Sequence, residues 1–241
     1  MEETKKIHNL VTLTGIVVNM YETPTCKVAT IAISLPIRHK DGSFNIVSNY
    51  PKVYFFKQDP TGIDDIKVGM NITVIGHVVA PKKTRHDTGK VYYSQSIVGD
   101  SVKEKKSALA EAGVKNVHRS SDAENNVYIE GVVERIERVT EKVAYFTIAA
   151  YNKRFYNKIR VASYDSRYVV IAPGNTVRIN GYVSTTMKVA EDGKKIKHQN
   201  IVAYSITDLG KLPGEMEVIE HRAEKEAAIN ESYNTRPLCE V

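Results

Sequence analysis

The chain has no tryptophan, and only two of its 241 residues are cysteine. Cys26 and Cys239 are too few and too far apart for a disulfide framework or a thiolate metal site, which suits a reducing compartment. No apolar run of about 18 residues occurs, so a membrane-spanning helix is not expected. The start, Met1-Glu2-Glu3-Thr4-Lys5-Lys6, has no apolar segment of the secretory kind, and a soluble cytoplasmic protein is expected. Chemical signatures are also missing. There is no Gly-x-x-x-x-Gly-Lys phosphate loop and no Gly-x-Ser-x-Gly elbow. The seven histidines, His8, His39, His77, His86, His118, His198 and His221, form no metal-spaced group. The Asp64-Asp65 pair is read as the cap of a short helical turn. Neither enzyme activity nor a metal or cofactor is expected.

What the chain does contain, it contains twice. Val11-Thr12-Leu13-Thr14-Gly15-Ile16-Val17-Val18 returns as Val127-Tyr128-Ile129-Glu130-Gly131-Val132-Val133-Glu134. Ile72-Thr73-Val74-Ile75-Gly76-His77-Val78 returns as Val177-Arg178-Ile179-Asn180-Gly181-Tyr182-Val183. Gln95-Ser96-Ile97-Val98 returns as Gln199-Asn200-Ile201-Val202. The period of roughly 105 to 116 residues far exceeds the 20 to 50 of solenoid repeats, so each copy is expected to be a domain with its own core. The boundaries read as 1–102 and 126–210 for the copies, 103–125 for a polar, charged linker and 211–241 for a tail. In the tail, Glu215 to Glu231 has helix-forming composition with a thin stripe of Ile219, Ala223 and Ala227.

Charge separates these regions. Lys and Arg against Asp and Glu give 12 − 9 = +3 for residues 1–100, 13 − 8 = +5 for 127–210 and 4 − 7 = −3 for 211–241. Basic copies suit a polyanion, because neutralising phosphates releases condensed counterions.

Each copy reads as five strands, by period-two alternation of β-branched and aromatic residues between Gly, Pro, Asn and Asp. In the first copy they lie near Val11–Met20, Val28–Leu35, Lys52–Lys57, Asn71–Ala80 and Val91–Val98. In the second they lie near Val127–Ile136, Val143–Ala150, Asn157–Ser163, Thr176–Ser184 and Lys195–Tyr204. Alternation turns Ala29, Ile31, Ile33 and Leu35 inward, like Ala144, Phe146, Ile148 and Ala150. Val53 and Phe55, with Ile159 and Val161, also face in, leaving Tyr54, Phe56, Arg160 and Ala162 facing out. Gly15, Gly76, Gly131 and Gly181 sit inside strands, where glycine marks a bulge or sharp bend. Gly69 and Gly174 precede the fourth strands, where a left-handed turn is expected. About ten extra residues around Pro36 to Asn49 belong to the first copy only.

Five strands with a glycine in the first, a connector before a Gly-led fourth strand and a long basic hairpin before the fifth resemble an OB-fold. More narrowly, the chain resembles single-stranded DNA-binding proteins of the bacterial and bacteriophage type, with two five-stranded barrels in tandem, an all-β fold. The resemblance covers about residues 7–101 and 125–209. It implies binding of single-stranded DNA with little sequence preference during replication or recombination. Bacterial relatives assemble four such barrels, which implies a homodimer here. They also stack bases on tryptophan and end in an acidic run closed by Pro-Phe. This chain ends Pro237-Leu238-Cys239-Glu240-Val241, so its acidic tail would meet replication or recombination partners without that terminus.

Single-strand binding needs cations along phosphates and flat rings for bases. In the first copy the candidates are Lys52, Tyr54, Phe56 and Lys57 on the third strand, with Lys82, Lys83, Arg85, Lys90 and Tyr92 or Tyr93 on the hairpin. In the second they are Tyr145, Arg154, Phe155, Tyr156, Lys158 and Arg160, with Lys188, Lys194, Lys195 and Lys197 on the hairpin. The second set is denser and is expected to carry most of the affinity. Other readings of the same residues are an OB-built adaptor that uses its barrels for protein contacts, and an RNA-binding or nuclease protein.

Overall fold

The computed structural model describes residues 8–38, 43–84, 89, 91–105, 123–152, 155–165, 168, 170–189 and 195–211. Strands dominate these: β1 (Asn9–Glu22), β2 (Cys26–Arg38), β3 (Phe44–Asn49), β4 (Lys52–Phe56), β5 (Asn71–Val79), β6 (Lys82–Thr84), β7 (Val91–Tyr93) and β8 (Ser96–Glu104) in the first copy. The second copy has β9 (Glu124–Arg138), β10 (Ala144–Asn152), β11 (Phe155–Ser163), β12 (Thr176–Val189) and β13 (Lys195–Gly210).

Pairing closes each copy into a five-stranded barrel. In the first, β1 pairs with β2, β2 with β4, β4 runs parallel to β8, β8 pairs with β5, and β5 returns to β1. In the second, β9, β10, β11, β13 and β12 repeat that circuit, again with one parallel step, between β11 and β13. The inward faces are those the alternation gives. Ala29, Ile31, Ile33, Val53 and Phe55 are fully buried in one barrel, as are Phe146, Ile148, Ala150, Ile159 and Val161 in the other. Each large side chain among them stabilises the fold by about 1.5–3 kcal/mol through removal from water.

The glycines do two different jobs. Register slips fall at Ile75/Gly76 and Asn180/Gly181, as bulges. There the neighbouring backbone is so near that a Cβ on Gly76 would lie 2.1 Å from the Val98 carbonyl oxygen, and one on Gly181 2.3 Å from that of Val202. Gly69 and Gly174 take φ of 94° and 88°. That left-handed turn lets the Gly69 N–H donate to Val17 O at 2.8 Å and the Gly174 N–H to Val133 O at 2.7 Å, beside the bulges in β1 and β9.

Several expectations need correction. Ala162 is 3% exposed, and Thr30, Ala32 and Ala149 on the same outward faces are also buried, while Lys158 and Arg160 beside them stay exposed. The extra segment of the first copy forms a strand of its own, with β3 pairing to β2 from Ile33↔Asn49 to Arg38↔Phe44. The fifth strand begins at Ser96, not Val91, because Val91–Tyr93 turns aside to pair with Lys82–Thr84. The connector does form a 3₁₀ turn, Ile63–Asp65, but Gly62 caps it with no side-chain bond, and Asp64 instead holds Lys27 Nζ at 2.5 Å. The helix read in the tail lies outside the described residues.

The barrels join through an antiparallel β1–β9 ladder that merges all but β6 and β7 into one eleven-stranded sheet. Further bonds cross the seam in reciprocal pairs. Asn49 Oδ1 accepts from the Thr185 N–H at 2.9 Å, and Asn157 Oδ1 from the Ala80 N–H at 3.1 Å. Gln199 Oε1 accepts from the Lys52 N–H at 2.9 Å, while Gln95 Oε1 accepts from the Arg160 N–H.

Candidate nucleic-acid interface

On the first barrel the ladder sets Tyr21 of β1, Val28 of β2 and Tyr54 of β4 in one row, with Asn19, Thr30 and Lys52 in the next. Tyr54 and Phe56 are half-buried, their neighbours Val53 and Phe55 fully so. Lys52 Nζ lies 5.6 Å from the centre of the Tyr21 ring, a cation–π arrangement. Lys57 bonds Glu22 at 2.6 Å, and this bond, with the charge of Lys57, holds the Glu22 carboxyl below its ordinary range.

On the second barrel Tyr145, Thr147 and Ala149 of β10 oppose Ala162, Arg160 and Lys158 of β11. The Arg160 guanidinium sits 4.0 Å from the Tyr145 ring centre and donates to Glu137 at 2.7 Å. Arg135 reaches the same Glu137 at 3.2 Å, and Lys158 reaches Glu134 at 3.0 Å. The face alternates cation, ring and carboxylate, and both of its β11 cations already have acidic partners.

At the seam, Lys197 of β13 places Nζ 5.3 Å from the centre of the Tyr50 ring, which is 42% exposed at the β3–β4 turn. The Tyr50 N–H donates to Thr185 Oγ1 at 2.8 Å. Partial burial and, after it, the charge of Lys52 push the Lys197 ammonium pKa down.

The structure thus brings Lys52, Tyr54, Phe56 and Lys57 together on one barrel, Tyr145, Lys158 and Arg160 on the other, and Lys197 between them. Lys82, Lys83 and Tyr92 fall on the β6–β7 hairpin, with Lys83 opposite Tyr92. Phe155 and Tyr156 start β11 opposite Asn152 and Tyr151, and Lys188 and Lys195 lie on the β12–β13 hairpin opposite Ile196 and Val189. Arg85, Lys90, Arg154 and Lys194 lie outside the described residues. Tyr21 and Tyr50 were not anticipated. Tyr21 falls one residue beyond the alternation that defines the first strand, and Tyr50 lies in the segment with no counterpart in the second copy.

A polar cluster lies outside these faces, where β9 meets β12. Glu130, 9% exposed, accepts from the Tyr128 hydroxyl at 2.8 Å and from Arg178 Nε at 3.1 Å. Burial pushes the Glu130 carboxyl up, but these two donors outweigh it and hold the group below its ordinary range. Among the described residues no group of three or more His, Cys, Asp and Glu side chains is arranged to hold a metal ion.

No protein-family model matches the chain, and no curated protein matches its sequence. Solved structures do. Wild-type single-stranded DNA-binding protein from Thermus aquaticus superposes with a TM-score of 0.61 at 14% identity, over 86% of this chain and 95% of that one. A deletion mutant of the same Thermus aquaticus protein gives a TM-score of 0.62 at 16% identity, over 86% of this chain and 97% of that one. At such identity the likeness concerns the fold, and by its fold this chain is an all-β protein of two OB-fold barrels in tandem.

Proposed function

We propose that the chain binds single-stranded DNA without strong sequence preference, coating and protecting it, by stacking bases on tyrosine and phenylalanine and by neutralising phosphates, without chemistry of its own. The observation that carries this is a cation over a ring on the same outward face of both barrels, Lys52 on Tyr21 and Arg160 on Tyr145. Flat rings accept any base, and each stacked base is worth about 1–3 kcal/mol. The fold shared with the Thermus aquaticus protein, named for single-stranded DNA binding, supports the same reading.

The residues proposed for the interface are Lys52, Tyr54, Phe56 and Lys57 of the first barrel and Tyr145, Lys158 and Arg160 of the second, with Tyr21 added. A role in replication or recombination, a homodimer presenting four barrels, recruitment of partner proteins by the acidic tail and a cytoplasmic location, in a host cell for a phage protein, belong to the same proposal. No helix among the described residues is long and apolar enough to cross a membrane.

The test is a mobility-shift titration of oligo-dT, poly-U and a duplex of equal length at two salt concentrations. Tight, salt-sensitive binding of oligo-dT supports the reading, and no binding at low salt overturns it. Preference for poly-U would favour an RNA partner, and cleavage on adding a divalent metal would favour a nuclease.

A further inference from the structure

The seam between the barrels gathers charge that no acidic side chain among the described residues neutralises. The other interface cations with described side chains have acids: Lys57 holds Glu22, Lys158 holds Glu134 and Arg160 holds Glu137. Lys52 and Lys197 form no ion pair among the described residues. Each lies instead over a tyrosine ring, Lys52 over Tyr21 and Lys197 over Tyr50. They come from different barrels, and backbone bonds fix them where they are: the Lys52 N–H to Gln199 Oε1, two residues from Lys197, and the Tyr50 N–H to Thr185 Oγ1. Burial first, and after it the charge of Lys52, weakens the hold of Lys197 on its proton. The Tyr21 hydroxyl is shielded from water and has no partner among the described residues. Two like charges held together with no acid among the described residues oppose folding, and an anion between them would remove that cost.

We propose that this seam is a phosphate-binding step, where Lys52 of the first barrel and Lys197 of the second together grip the backbone of one DNA strand as it passes between barrels, with the rings of Tyr21 and Tyr50 beside it. The assignment rests on the single-strand reading above and adds to it a continuous path. A strand long enough to occupy both barrels must cross between them, and the cations at the crossing belong to neither barrel alone. The counterpart of Lys52 in the second copy, Lys158, is tied to Glu134, so the crossing is built at this seam in particular. Binding to one barrel then raises the effective concentration of the strand at the other.

The test compares the parent protein with the double variant Lys52→Gln/Lys197→Gln on two oligo-dT lengths: about 8 nucleotides, within the span of one OB-fold, and about 30, enough to cross the seam. Losing two phosphate contacts on a single strand lowers the slope of log K against log salt by about 1.4, and affinity by on the order of tenfold at about 0.1 M salt. Because Lys52 also belongs to the face of the first barrel, some loss is expected on the short strand, but a clearly larger one on the long strand, with Lys52→Arg/Lys197→Arg retaining parent behaviour. Unchanged slope and affinity for the long strand, or an equal loss on the short one, would overturn the crossing while leaving single-strand binding intact. A parent protein that binds neither length would overturn the underlying reading and the crossing with it.

Discussion

Val11 and Val127, the same position in the two copies, lie directly opposite each other across the β1–β9 ladder. The pairs on either side, Asn9↔Ile129 and Leu13↔Asn125, exchange under the same two-fold relation, so the duplicated strand pairs with itself. Both valines are buried, and the two asparagines repeat one bond. Asn9 donates to Val78 O at 2.7 Å and accepts from its N–H at 3.0 Å, while Asn125 does the same with Val183 at 2.8 Å for each.

The barrels are therefore expected to unfold together. Urea unfolding should give a single transition by tyrosine emission and by circular dichroism. Asn9→Ala and Asn125→Ala should each cost about 1–3 kcal/mol, because each strands a buried N–H and C=O at the edge of its barrel. Two separated transitions in the parent protein would show that the ladder does not couple the barrels.

On the proposed reading, Arg160 and Lys158 must leave the carboxylates of Glu137 and Glu134 before they can meet DNA. Arg160→Ala/Lys158→Ala should weaken oligo-dT binding and flatten its salt dependence by about 1.4 in log–log slope. Glu137→Gln should do the opposite, strengthening binding by freeing Arg160, and isothermal titration at two salt concentrations checks both signs.

Tyr145→Ala and Tyr21→Ala should each lower affinity for oligo-dT by about 1–3 kcal/mol if each ring carries a base. Tyrosine to phenylalanine at either place should have little effect, since the ring and not the hydroxyl does the stacking. Fluorescence anisotropy of a labelled oligonucleotide separates the two substitutions.

Glu130 sets an acid limit. Its carboxyl is held below the ordinary 4.5, so its ionised form stabilises the fold fully above that value, and the contribution disappears as pH falls through the lowered pKa. Glu130→Gln should cost about 1–3 kcal/mol at pH 7, and the gap to the parent should close as both are acidified below pH 4.5. Urea midpoints measured at descending pH report the gap. A gap that widens instead would contradict the assignment.

Much of this was legible in the sequence because duplication and alternation are local properties. Val53 and Phe55, or Ile159 and Val161, announce their face by spacing alone, and the repeated Gly69 and Gly174 announce their turn. The repeated Gln95 and Gln199 were visible as landmarks, but their role was not, because each serves the other barrel and no local pattern encodes a contact across the seam. The burial of Ala162 and Thr30 was hidden for a related reason. Alternation tells which way a side chain points, not what covers it. Pairing of acids with cations was equally hidden, since Glu137 meets Arg160 only through the register of β9, β10 and β11.

The central claim, stacking plus phosphate neutralisation on a single strand, meets its most direct test in the chain's own tyrosine emission, undisturbed by tryptophan. Titration with oligo-dT should quench that emission to a saturable end point, rising salt should reverse the quench with a linear log–log slope, and a duplex of equal length should quench far less. Emission unmoved by oligo-dT at low salt, or quenched equally by the duplex, would contradict the account.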